Sequence, residues 1–210
     1  MPSVCPRIDA SVHSALPSAL EQGGALIDPT TQRAQALRQG EAPGVRCLAI
    51  AANTLWCLGY PVQAVRRSEE ALTLAQELAH PFSLAQAQHF VAFRHYHRRE
   101  ATAVQALADA LLTLATAQGF PLYVENGTCW RGWALAIQGE GESALAELRQ
   151  GMAAVLATGQ ELNRPLCLVL LAEAAGHVGQ VEEGLRRLTE ALAAFEASGR
   201  GDLLAEAYRL

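Results

Sequence analysis

Along most of the chain, apolar residues return every three or four positions in stretches of about 12–18 residues, each ended by glycine, proline or a polar cluster. Such spacing lays the apolar side chains along one face of a helix. It predicts helices over 12–23, 45–57, 62–79, 82–97, 101–118, 122–137, 142–158, 165–177, 181–198 and from 202 to the end. Segment 23–44 carries Gly23-Gly24, Asp28-Pro29, Gly40 and Pro43-Gly44 and reads as an irregular, loop-rich connection with a short helical turn near 31–39. Residues 1–10, with two prolines, read as a disordered tail, and 11–210 as a single helical domain.

The breaks themselves are periodic. Gly59, Gly139 and Gly179 are multiples of forty residues apart, and Arg99 fills the missing place in the series. Small residues follow at fixed offsets: Ala64 and Ala71, Ala144 and Gly151, Gly184 and Ala191. Prolines mark the alternate breaks at Pro81, Pro121 and Pro165, the last four residues late. Glycine permits the left-handed residue that ends one helix, and proline suits the first turn of the next. The prediction is an all-α array of antiparallel helix hairpins with a period near 40, curving into a right-handed α-α superhelix.

Composition narrows the function classes. Ala (40) and Leu (31) dominate 210 residues, aromatics make up 6%, and all 16 basic residues are arginine. Without lysine, Walker-type phosphate cradling, Schiff-base chemistry and serine–lysine dyads are excluded. A net charge of −5 disfavours a nucleic-acid partner, and no apolar run is long enough to span a membrane. The N-terminus has no signal-peptide pattern, so a cytoplasmic location is expected. Five widely spaced cysteines with no C-x-x-C pair read as reduced thiols filling core space.

Several runs carry a family resemblance: Leu58-Gly59-Tyr60-Pro61, Ala79-His80-Pro81-Phe82-Ser83-Leu84-Ala85, Gln118-Gly119-Phe120-Pro121, Arg131-Gly132-Trp133-Ala134-Leu135, and Leu171-Ala172-Glu173-Ala174 with Gly179-Gln180-Val181-Glu182-Glu183-Gly184. Together they resemble the tetratricopeptide (TPR)-like C-terminal region of bacterial signalling proteins that join an adenylate/guanylate cyclase domain to an AAA-type ATPase. The resemblance covers nearly all of 11–210 and implies a non-catalytic sensor or protein-interaction module. The cyclase and ATPase segments have no counterpart here. The chain reads as beginning inside one repeat and ending inside another, as a truncated fragment would. Uncapped terminal repeats allow self-assembly into a homo-oligomeric scaffold as an alternative.

In such an array the first helices of the hairpins line a concave groove. With the turn residue as register mark, the peptide-groove candidates are Arg46, Asn53 and Trp56, then Gln86, His89, Phe93 and Tyr96, then Asn126, Cys129 and Trp133, and finally Glu173. Arg, Asn and Gln can clamp a peptide backbone or carboxylate, and the aromatics can anchor it. The same aromatics serve equally well as filler between helices. Arg131 falls where a core residue belongs. No catalytic constellation, cofactor site or metal site is expected. In His95-Tyr96-His97 the two imidazoles lie two residues apart and point away from each other, and the run through Arg94, Arg98 and Arg99 reads as a solvated helix end. The pairs Arg66-Arg67 and Arg186-Arg187 have glutamates at i±3 and i±4 and read as surface charge partners.

Overall fold

The computed structural model describes residues 28–157, 163–198 and 204–210, and every regular element among them is a helix. In chain order these are α1 (Pro29–Gln39), α2 (Pro43–Cys57), α3 (Pro61–Leu78), α4 (Pro81–His97), α5 (Ala101–Gln118), α6 (Pro121–Ile137), α7 (Gly141–Ala157), α8 (Arg164–His177), α9 (Val181–Ser198) and α10 (Leu204–Arg209). The expected tail 1–10 and helix 12–23 lie outside the described residues. Elsewhere the hydrophobic period locates the helices to within a few residues.

Within the segment read as a loop-rich connection, the short helical turn expected near 31–39 is a three-turn helix, α1. Its start is written in Asp28-Pro29: the Asp28 carboxylate accepts from the Thr31 backbone N–H at 2.9 Å and from the Thr31 hydroxyl at 2.7 Å, while Pro29 occupies the first turn. Those hydrogen bonds hold the Asp28 carboxyl below its usual range. α2, α3, α4 and α6 also open on proline.

The predicted turns close in one recurrent way. After α2, α4, α6 and α8, Gly59, Arg99, Gly139 and Gly179 all have positive φ (84°, 61°, 95° and 83°). In each turn the next N–H reaches back five residues, as in Tyr60 N to Leu55 O at 2.8 Å and Glu100 N to His95 O at 3.0 Å. Arg99 therefore adopts a conformation that costs a non-glycine residue on the order of 1 kcal/mol. Ala79, ending α3, is the other non-glycine residue in this region among the described residues (φ 51°).

The chain divides into two compact units, residues 1–94 and 95–210. In the first, α1 packs on α2 and α3, which form a hairpin. Its core gathers Ala36, Val45, Leu48, Leu74, Ala75 and Leu78, and Ser83 Oγ accepts the buried Ala42 N–H at 2.8 Å. In the second, α6 packs against α5, α7 and α8, and α8 against α7 and α9. Trp130, Trp133, Leu111, Leu145, Leu148 and Leu168 are fully buried there, each side chain contributing about 1.5–3 kcal/mol by leaving water. Small residues at the predicted offsets are buried in both units: Ala64, Ala71, Ala144, Gly151, Gly184 and Ala191. A Cβ on Gly184 would stand 3.0 Å from Ala172 O, so these positions set how closely paired helices approach.

Candidate interaction surface

The second unit concentrates charge around one buried carboxylate. Glu173, on the inner face of α8, is 6% exposed. It accepts from Trp133 Nε1 at 2.9 Å, from Arg99 Nη1 at 2.7 and 2.8 Å, and from Arg209 Nη2 at 2.9 Å. Arg99 also donates to Glu206 at 2.6 Å, and Arg209 Nε to the same carboxylate at 2.8 Å. Two guanidinium groups and an indole N–H thus share two carboxylates contributed by α8 and α10. Burial works against the charge of Glu206, but the His97 imidazole 3.5 Å away, the hydrogen bond from Arg209 and the positive charge of Arg99 outweigh it and hold its carboxyl at about 2. The Tyr96 ring meets Trp133 edge-on at 4.9 Å with the Arg99 guanidinium 5.0 Å from its centroid, and burial pushes its phenol well above the usual range. Arg99 explains its own strained backbone. Where the other three turns carry glycine, this one carries a side chain that reaches both acidic residues.

Of the residues assigned to the groove in this unit, Tyr96 and Trp133 are 0% exposed and Asn126 2%. Their surfaces are already covered by the protein, and Asn126 Oδ1 has no hydrogen-bond partner among the described residues. Arg131 is not in the core. It is half-exposed and donates to Glu147 at 2.5 Å, beside a cleft of about 460 Å³ between α6 and α7.

The first unit presents a different arrangement. Arg46 is exposed and paired with Glu41 at 2.8 Å, while Asn53 and Trp56 are half-buried on the same face of α2. On α4, Gln86 and Phe93 are buried and His89 is half-buried. Between the two helices lies Arg94, only 2% exposed, which sequence reasoning placed on a solvated helix end. Its Nη2 donates to Asn53 Oδ1 at 2.7 Å, and its guanidinium carbon lies 5.2 Å from the Trp56 ring centroid and 5.1 Å from that of Phe93. Desolvation lowers its pKa to about 10, which leaves it charged at neutral pH. Asn53, Trp56, Phe93 and Arg94 are therefore brought together. A signal for Arg94 existed: at the forty-residue spacing its column reads Thr54, Arg94, Ala134, Ala174, and the two alanines are fully buried.

No known family's sequence pattern matches this chain, and no curated protein does so significantly. Solved structures do. Aspartyl phosphate phosphatase F from Bacillus subtilis superposes with a TM-score of 0.55 over 78% of this chain at 13% identity; the matched region is 43% of the phosphatase, so this chain spans less than half of it. A Podosopora anserina putative kinesin light chain protein of nearly identical TPR-like repeats superposes with a TM-score of 0.52 at 17% identity, over 91% of this chain and 93% of its own. A single-substitution form of that protein gives 0.54 over the same shares. The fold is TPR-like.

Several other charged side chains of the TPR-like fold pair within the chain. His95 bonds Glu100 at 2.5 Å and His97 faces Glu206 at 3.5 Å, so the two imidazoles diverge. Arg67 pairs with Glu70 at 2.5 Å, and Arg187 with Glu190 at 3.1 Å. Among the described residues no cluster of three or more His, Cys, Asp or Glu could hold a metal, and no helix is long and apolar enough to cross a membrane.

The cysteines divide by depth. Cys47 and Cys57 are exposed, against the expectation of core filler, whereas Cys129 and Cys167 are buried. A hydrogen bond with Cys167, together with burial, pushes the Cys129 thiol well above its usual range, which disfavours the reactive thiolate. A thiol reagent should modify Cys47 and Cys57 within seconds to minutes and reach Cys129 and Cys167 only with denaturant. Rapid native labelling of Cys129, read by peptide mass spectrometry, would contradict this burial.

Proposed function

We propose that this chain is a non-catalytic protein-interaction module that holds an extended partner segment along its first helices and acts in the cytoplasm as the sensor region of a signalling ATPase or cyclase. The reading is supported chiefly by α2, whose Arg46, Asn53 and Trp56 stand on one helical face with polar and aromatic surface still open. In the second unit, by contrast, Tyr96 is packed against Trp133, and Trp133 and Arg99 already bond Glu173. Partner capture therefore falls to the first unit, where Arg46, Asn53, Trp56 and His89 remain reachable and Gln86 and Phe93 form the floor. The TPR-like neighbours support an interaction role, and the resemblance in the Leu171–Gly184 stretch supports the signalling context.

The test is a photo-crosslinking amino acid placed at Arg46 and, separately, at Glu69, which is exposed on α3. Irradiation in cells is expected to trap one discrete partner from position 46 and none from 69. Asn53→Ala should then reduce capture roughly tenfold with the circular dichroism unchanged, in the range expected for a central interface residue. Equal adducts from both positions, or none from either, would remove the groove from consideration.

A further inference from the structure

Among the described residues two arginines are buried, Arg67 and Arg94, and only Arg67 has an acid beside it. Arg67, 7% exposed, has Glu70 at 2.5 Å. Arg94 is deeper, yet among the described residues no carboxylate pairs with it. Around it stand the neutral amide of Asn53 and two aromatic rings, with the Cys57 thiol near enough to interact electrostatically. Nη1 is buried without a hydrogen-bond partner among the described residues. A desolvated guanidinium with an unused donor is costly to keep, and the missing counter-charge is the natural complement of the site.

Asn53 adds a direction. Because its Oδ1 is taken by Arg94, the amide cannot flip without losing a charge-assisted bond, and its NH2 is fixed as the donor end. Trp56, half-buried, lies against the guanidinium and stands between it and solvent on the partly open face of α2. We propose that the first unit is a receptor for a glutamate side chain: the ligand's carboxylate enters past Trp56 to Arg94 while its backbone carbonyl accepts from the Asn53 NH2. Arg94 is 2% exposed whereas Asn53 is half-buried, so the guanidinium lies deeper than the amide, and a carboxylate carried on a side chain can reach it while the ligand's backbone stays at the depth of Asn53. The proposal rests on the groove reading above and specifies what that groove selects.

The test is an NMR titration of the full chain with three blocked peptides, following the Trp56 indole and Asn53 side-chain signals. The probes are Ac-Ala-Glu-Ala-NH2, its Gln analogue, and the Gln analogue with a free C-terminal carboxylate. The Glu peptide is expected to give saturable shifts with at least about fivefold higher affinity than either other peptide. Arg94→Gln should abolish that preference and Arg94→Lys should restore much of it. Equal shifts with Glu and Gln peptides, a preference that survives R94Q in a protein of native helicity, or no shift at all would overturn the proposal. A free-carboxylate peptide that matches the Glu peptide would overturn the side-chain assignment in favour of chain ends. Crosslinks from position 46 together with a lost Glu preference would reject this specificity and leave the interaction module standing, whereas loss of the crosslinks rejects the module itself.

Discussion

Glu173→Ala is expected to destabilise the second unit by about 3–5 kcal/mol, the range for breaking a buried, hydrogen-bonded ion pair from one side. The substitution strands three donors at once. Trp133 Nε1, in a residue with no exposed surface, loses its acceptor. Arg99 loses two bonds at 2.7 and 2.8 Å while its backbone remains in the left-handed region, and Arg209 loses one at 2.9 Å. Urea unfolding followed by tryptophan fluorescence would measure the change. Glu173→Gln keeps one acceptor oxygen for the indole and should cost roughly half as much. A loss under about 1 kcal/mol for the alanine variant would mean that water replaces the carboxylate and that the network contributes little.

Gly132→Val should cost about 3 kcal/mol or more, through overpacking and not through lost contacts. A Cβ at this position would stand 2.7 Å from Leu148 Cγ and 3.0 Å from both Ala144 O and Leu148 N. Two of those atoms are backbone of α7, so relief requires moving a helix, not turning a side chain. Gly132→Ala should fall lower, at about 1–3 kcal/mol. Gly176 supplies the contrast, because a Cβ there meets nothing within 4 Å and its φ is not positive. Gly176→Ala should therefore raise stability by about 0.5–1 kcal/mol through helix propensity. If Gly132→Ala also proved stabilising, the close approach of α6 to α7 would not be what this glycine secures.

The hairpins were legible because two independent patterns coincide. Apolar spacing marks the helix interiors, and punctuation every forty residues marks their ends. Even Arg99 could be placed in the turn series before its φ was known, since position alone required a left-handed residue. In the segment around α1 the expected short turn near 31–39 is a three-turn helix that begins two residues earlier, because the Asp28 cap and Pro29 fix its start, while Gly40 fixes its end. The exposure of the groove candidates was less legible for a physical reason. Spacing fixes the helix face a residue occupies but not how much neighbouring chain covers it. Tyr96 and Trp133 share a column geometry with Trp56 and Asn53, yet the first two are sealed and the others remain partly open. Arg94 was hidden by company: in a run of histidines and arginines it looks like one more solvated charge. Only comparison with Ala134 and Ala174, one and two repeats on, reveals an interior position.

The turns after α2, α6 and α8 share a property with a practical side. At Gly59, Gly139 and Gly179 a Cβ would meet nothing within 4 Å, so what a side chain costs there is confined to the backbone's left-handed twist. Arg99 shows that such a strain, on the order of 1 kcal/mol, is tolerated when the added group finds something to hold. Each turn is thus an open socket, repeated at regular intervals, into which one codon change can plug a tether without disturbing the packing beneath. A lineage could rewire which hairpins are tied together through these sockets alone, and an engineer could attach labels or linkers at the three that still carry glycine.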